Sequence, residues 1–132
     1  TMPATLTVRD ETTSGETLYE STLELVTERI TVEELIRSRV YQEVKDYNLK
    51  KPGFFRGLVR PTEAEETLNG ARLGAKRQIN WQKQVASALK AFESNRVIIL
   101  IDDVQAGSLE DEILVEPKTQ VTFLKLVPLV GG

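Results

Sequence analysis

The sequence predicts an α+β fold: a mixed sheet crossed by one helix, with a helical insert at about residues 48–95 between that helix and the third strand. Three observations carry this. Residues 5–10 and 17–26 alternate polar and apolar side chains on either side of a Gly15 turn, the pattern of a half-buried hairpin. From Val32 to Tyr47 the apolar residues recur at helical spacing. Near the end, Val121–Val127 is a Val-, Leu- and Phe-rich run, the composition of a buried strand.

Taken in order, Leu6 and Val8 share the inner face of the first strand, and Glu11–Gly15 forms the turn, with Gly15 free to take positive φ. Thr17–Val26 returns. Thr31-Val-Glu-Glu34 is a capping box, in which Thr31 caps the helix and Glu34 reaches back to its amide. Val32, Leu35, Ile36, Val40, Val44 and Tyr47 then form the core stripe, with Arg37, Lys45 and Asp46 outside. Within the insert, Leu49–Gly57 is a loop by its Pro and Gly content. Pro61–Glu65 carries a second capping box, predicting a short helix that stops at Asn69-Gly70. A further helix is expected from Trp81 to Glu93, capped by Asn80 and closed by Ser94-Asn95, with Trp81, Val85, Ala88, Leu89 and Phe92 on one face and Trp81 in the insert's core.

Strands then resume. Arg96–Ile101 is continuously apolar after its first residue, as for a strand buried on both faces. Asp102-Asp103 is a turn, Val104-Gln105 a short extension, and Leu109–Val115 an irregular acidic connection with Ile113 pointing inward. Glu116–Thr119 is a proline turn leading into the last strand, about Gln120 to Val127, whose apolar composition predicts an interior position beside the N-terminal strand. The elements fit one domain over residues 1–132, and Met2 reads as an initiation methionine.

Composition narrows the chemistry. The chain of 132 residues has no Cys and no His, which removes thiol nucleophiles, thiolate and imidazole metal ligands and the usual general base together. No apolar stretch reaches the roughly 20 residues of a membrane span, and no signal peptide opens the chain, so a cytoplasmic, non-enzymatic protein without cofactor or metal is expected. Net charge is −3, divided unevenly. Residues 45–90 carry ten basic and four acidic side chains, a balance of +6 against −9 for the rest. Such a block is more often a solvated layer than a docking surface, and with an acidic chain lacking nucleic-acid motifs it gives no reason to expect nucleic acid as a partner. Gly53-x-x-x-Gly57 lacks the Lys-Ser/Thr of a phosphate loop.

The sharpest local signal is Pro128-Leu-Val-Gly-Gly132. Pro128 cannot continue a ladder, and Gly131-Gly132 is thin enough to enter a narrow channel where side chains would clash. Terminal glycines are usually just disordered, and residues after Pro128 are expected to be poorly ordered in the free protein. The strand directly before them is what gives them an anchor. Leu124 and Leu126 share the face opposite Val121 and Phe123 and are candidates for a partner surface. Phe54 and Phe55 are further candidates, although burial over the sheet is the more ordinary place for such a pair.

A hairpin crossed by one helix and completed by a central last strand is a β-grasp arrangement. Ile101-Asp-Asp103, Ser108–Ile113, Glu116-Pro-Lys118 and Val127–Gly132 resemble the C-terminal half of the ubiquitin-like sulfur carriers of thiamin and molybdopterin synthesis. Residues 4–47 match them in element order only. The long insert is a departure from those small carriers and is more similar to bacterial ubiquitin-like proteins that work beside their own activating and conjugating enzymes. The resemblance implies that an activating enzyme adenylates the Gly132 carboxylate, with Gly131 beside it and Pro128, Leu129 and Val130 recognised as the tail. It implies, as partners, that activating enzyme with its ATP, a conjugating enzyme, a metal-dependent deconjugating protease and target proteins, with no membrane. Capture of the adenylate by sulfide gives a sulfur carrier; capture by a thiol and then an amine or hydroxyl gives a protein modifier, the leading expectation. A non-covalent interaction module remains the third alternative.

Overall fold

Strands β1 (Ala4–Glu11) and β2 (Thr17–Leu25) open the chain, followed by β3 (Arg29–Thr31), helix α1 (Val32–Lys50), β4 (Glu65–Thr67) and β5 (Gly70–Arg72). Helix α2 (Trp81–Glu93) precedes β6 (Val97–Ile101), β7 (Val104–Gln105), β8 (Glu112–Leu114) and β9 (Gln120–Lys125). The computed structural model describes residues 4–25, 27–50, 57–59, 65–67, 70–72 and 79–126. They make an α+β protein with two helices and a mixed five-stranded sheet in the order β2-β1-β9-β6-β7.

The last strand is interior, as its composition predicts. It runs parallel to β1, with Val8 beside Val121 and Asp10 beside Phe123, and antiparallel to β6, with Ile99 opposite Phe123. Val121 and Phe123 join Leu6, Val8, Val97 and Ile99 in one buried cluster beneath the stripe of α1, where Val32, Leu35, Ile36, Val40, Val44 and Tyr47 are all buried. The β1–β2 turn has Gly15 at φ +88°, open to glycine and strained for other residues.

Both helices are closed by local chemistry. At α1 the Thr31 hydroxyl accepts the Glu34 N–H at 3.1 Å and the Glu34 carboxylate accepts the Thr31 N–H at 3.1 Å, the expected capping box. The carbonyls of Asp111 and Leu109 take the next free amides, Val32 and Glu33. Asn80 caps α2 by accepting the Lys83 N–H. At its far end Asn95, at φ 60°, turns the chain so that its own N–H meets the Phe92 carbonyl and the Arg96 N–H meets the Ala91 carbonyl, a Schellman closure.

Four expectations are corrected. The short helix expected from the Pro61–Glu65 capping box to Asn69-Gly70 is, over 65–67 and 70–72, the hairpin β4–β5, with Thr67 opposite Gly70. Asn-Gly serves hairpins as readily as it stops helices, and a helix of two turns is marginal on its own. The irregular connection at Leu109–Val115 contains β8, which pairs with β3; Ile113 does point inward, opposite Ile30. Strand β6 is buried on one face only, at Val97 and Ile99, because the described helices cover one side of the sheet. Trp81 is 37% exposed, its ring edge-on to Tyr41 at 5.2 Å. As the first residue of α2 it lies where the packed face of Gln84, Val85, Ala88, Ala91 and Phe92 runs out. No described helix is long and apolar enough to cross a membrane.

Candidate functional site

The described chain leaves the sheet at Lys125 and Leu126. Strand β9 reaches this point between two neighbours, and the Leu126 N–H still bonds the Arg96 carbonyl at 3.1 Å, so the exit is fixed by a ladder up to its last described residue. Gly131, Gly132, Pro128, Leu129 and Val130 lie outside the described residues, as do Phe54 and Phe55. The two other predicted site residues are brought together. Leu124 lies opposite Ile98 in β6 and beside Glu11 in β1, half-buried on the face of the sheet away from the helices. Leu126, 37% exposed, follows on the same alternation. With Ile98 and Leu100 they form a partly exposed apolar strip beside the exit.

The opposite face of the exit holds a charged cluster that pattern reading missed. Asp10, on β1, and Arg39, on α1, are buried at 3% and 4% exposure. Arg39 donates from Nη1 to Oδ1 of Asp10 at 2.6 Å and from Nη2 to Oδ2 at 2.7 Å, and its guanidinium lies 4.4 Å from the centre of the Phe123 ring. The same Nη2 also reaches Glu43 Oε2, one turn along α1, at 3.4 Å. Lys125 comes in from β9, its Nζ 3.5 Å from Asp10 Oδ2.

Burial works against both Arg39 and Glu43, with opposite net results. Burial lowers the affinity of Arg39 for its proton, but the carboxylates of Glu43 and Asp10 outweigh it and raise the guanidinium further above its ordinary value. For Glu43 burial is the larger influence and pushes the carboxyl above the usual carboxylate range, with Arg39 and Lys125 pulling the other way. On the surface, Asp111 is held below its ordinary value by the Gly107 N–H, the Ser108 hydroxyl and the Ser108 N–H, which it gathers into a tight turn.

The signals for the cluster were present in the sequence. Asp10 has the same alternation as Leu6 and Val8, and Arg39 and Glu43 fall inside the α1 stripe, next to Val40 and Val44. Arrangements of this kind supply position rather than chemistry. Two carboxyl groups and two cationic side chains meet here, with Arg39 over Phe123, and each is engaged by another member of the cluster. No protein-family model, curated protein or solved structure matches the chain.

Proposed function

We propose that the chain is a ubiquitin-like protein modifier: a β-grasp domain whose Gly132 carboxylate is adenylated by an activating enzyme and conjugated to target proteins. The observation that carries the reading is the position of β9. It lies at the centre of the sheet, parallel to β1, and five residues separate its end at Lys125 from the Gly131-Gly132 pair. A rigid central strand followed by a proline and two glycines is a way to present a carboxylate to an enclosed site while the domain stays outside it. The sheet order and the helix laid across one face support the β-grasp assignment.

In this reading the carboxylate attacks the α-phosphorus of ATP and expels pyrophosphate. An enzyme thiolate attacks the resulting acyl carbon and expels AMP, and a target amine finally displaces the thiolate. This chain supplies the carboxylate and its docking surface, with Leu124 and Leu126 as the contact strip for the activating enzyme. Such a role asks for no Cys or His in the carrier, consistent with their absence.

The test is intact mass after incubation with the activating enzyme, ATP and either sulfide or a protein acceptor. Adducts of the chain on other proteins support the modifier. Replacement of one oxygen by sulfur on the free chain, without adducts, supports a sulfur carrier instead. A mature chain that does not end at Gly132, or one that is never adenylated, removes both.

A further inference from the structure

Glu43 and Lys125, the two outer members of the charged cluster, hold a single peptide group between them. The Leu58 N–H donates to Glu43 Oε1 at 3.3 Å, and the carbonyl of Gly57, which belongs to the same peptide unit, accepts from Lys125 Nζ at 3.3 Å. An anion therefore sits at the N–H end of that peptide and a cation at its C=O end, aligned with its dipole. The segment is also seated by packing, since Leu58 and Val59 are each 2% exposed and the Val59 carbonyl accepts from Gln84 on α2.

We propose that Asp10, Arg39, Glu43 and Lys125 form a coupling element that makes the seating of residues 57–59 and the position of the C-terminal exit interdependent. Lys125 is the last residue of β9 and the neighbour of Leu126, so its side chain and the exit share one backbone unit. Should a partner engage the insert and lift the 57–58 peptide, Lys125 loses an acceptor and Glu43 a donor in a largely buried place. Both charges must then find new partners or water. Arg39 cannot follow either one freely, because Nη1 and Nη2 are both held by Asp10 and Phe123 underlies it. The displacement is therefore passed to Lys125 and the exit. By linkage, clamping the exit must favour the seated segment to the same degree. The use of this coupling in conjugation rests on the function proposed above; the coupling itself does not.

Hydrogen exchange followed by NMR on the full chain tests it, reading the Leu58 and Leu126 amides in Glu43→Gln, Lys125→Met and the double variant. Glu43→Gln is expected to speed exchange at Leu126, and Lys125→Met at Leu58, each by about fivefold or more, the lower end of measured coupling between sites. The double variant is expected to add less than the product of the two. Amides of the β1–β2 hairpin stay at wild-type rates, which separates coupling from general loosening. Effects confined to Leu58 in Glu43→Gln and to Leu126 in Lys125→Met overturn the proposal, as does a uniform rise at every amide. If a variant fails to fold, the wild type answers alone. As Glu43 takes up its proton, facing Arg39, Asp10 and Lys125, the Leu58 and Leu126 amide shifts are expected to move with one midpoint. A Leu126 shift that stays flat through the Leu58 midpoint overturns the idea. Failure of the conjugation assay leaves this measurement unchanged.

Discussion

Arg39 meets Asp10 across the helix–sheet interface as a two-pronged ion pair of 2.6 and 2.7 Å, with side-chain exposures of 5% and 3%. Each charge is tolerable there only because of the other. Asp10→Ala leaves a guanidinium buried beneath the helix, and the expected loss is about 3–5 kcal/mol, read as a drop in the urea midpoint. Replacing both residues with apolar ones of similar volume should cost much less than the sum of the single changes. A double replacement as damaging as that sum would mean that the two residues contribute independently and that neither charge depends on the other.

The pH dependence has a sign fixed by Glu43. Its carboxyl is raised in the folded chain, mainly by burial, so the folded state holds that proton more tightly than the unfolded state. Its contribution is fully present below the ordinary Glu range, near pH 4.3, and is lost as pH rises through the raised folded value. Unfolding midpoints measured from pH 4 to 8 in wild type and in Glu43→Gln should therefore differ by a curve that falls with pH.

Asp111 gives the opposite slope. Its lowered value means a contribution present above the ordinary Asp range and lost as pH falls through the folded value. Asp111→Asn should flatten the acid side of the stability curve without changing its alkaline side. Reading it requires the same titration series to be carried below pH 4, under the ordinary Asp range.

Phe123 and Leu126 are three residues apart in sequence and should respond very differently. Phe123 is fully buried, and Phe123→Ala is expected to cost about 3–5 kcal/mol. Leu126→Ser removes a 37%-exposed side chain and should stay within about 0.5 kcal/mol of wild-type stability. Its expected effect is on activation, as a higher KM toward the activating enzyme. Unchanged activation kinetics would take the apolar strip out of the docking surface.

If Gly132 is joined to target lysines, trypsin leaves a defined mark. The last basic residue is Lys125, followed by Leu126, so each modified lysine should carry Leu-Val-Pro-Leu-Val-Gly-Gly, residues 126–132. Deleting Gly131-Gly132 should remove every such peptide while leaving the unfolding midpoint unchanged. Modified peptides that persist after the deletion would end the modifier reading.

What could be read from the sequence depended on how local the cause was. Helix α1 declared itself because Thr31 and Glu34 cap it and its stripe repeats without interruption. Strand β9 did so because a run such as Val121–Val127 is seldom left on an edge. Strands β3 and β8 have three residues each, too few for an alternation to register, and exist because Ile30 and Ile113 meet across 83 positions of chain. Residues 65–72 carried signals valid for both a helix stop and a hairpin, and pairing decided between them. The buried cluster is masked by its chemistry: Asp10, Arg39 and Glu43 carry charge and so stand outside any apolar pattern, although their positions in the alternation and the stripe point inward. The exit of the chain was legible as a strand end, whereas its link to the Gly57–Leu58 peptide depends on a contact between residues 68 apart, which no local pattern encodes.

The central position of β9 also bears on how the protein is made. Among the described residues, β1 with its hairpin partner β2, and β6 with β7, are joined in the sheet only through β9. On a ribosome both halves are therefore synthesised with a bare inner edge, and neither can close until residues 120–125 have cleared the exit tunnel. Folding must wait for the last strand, a late closure of long-range pairs that is intrinsically slow. During that wait the unpaired flanks of β1 and β6, lined by Leu6, Val8, Val97 and Ile99, are open to other chains. A nascent chain stalled before Gln120 would thus be sticky in a way that the finished domain is not.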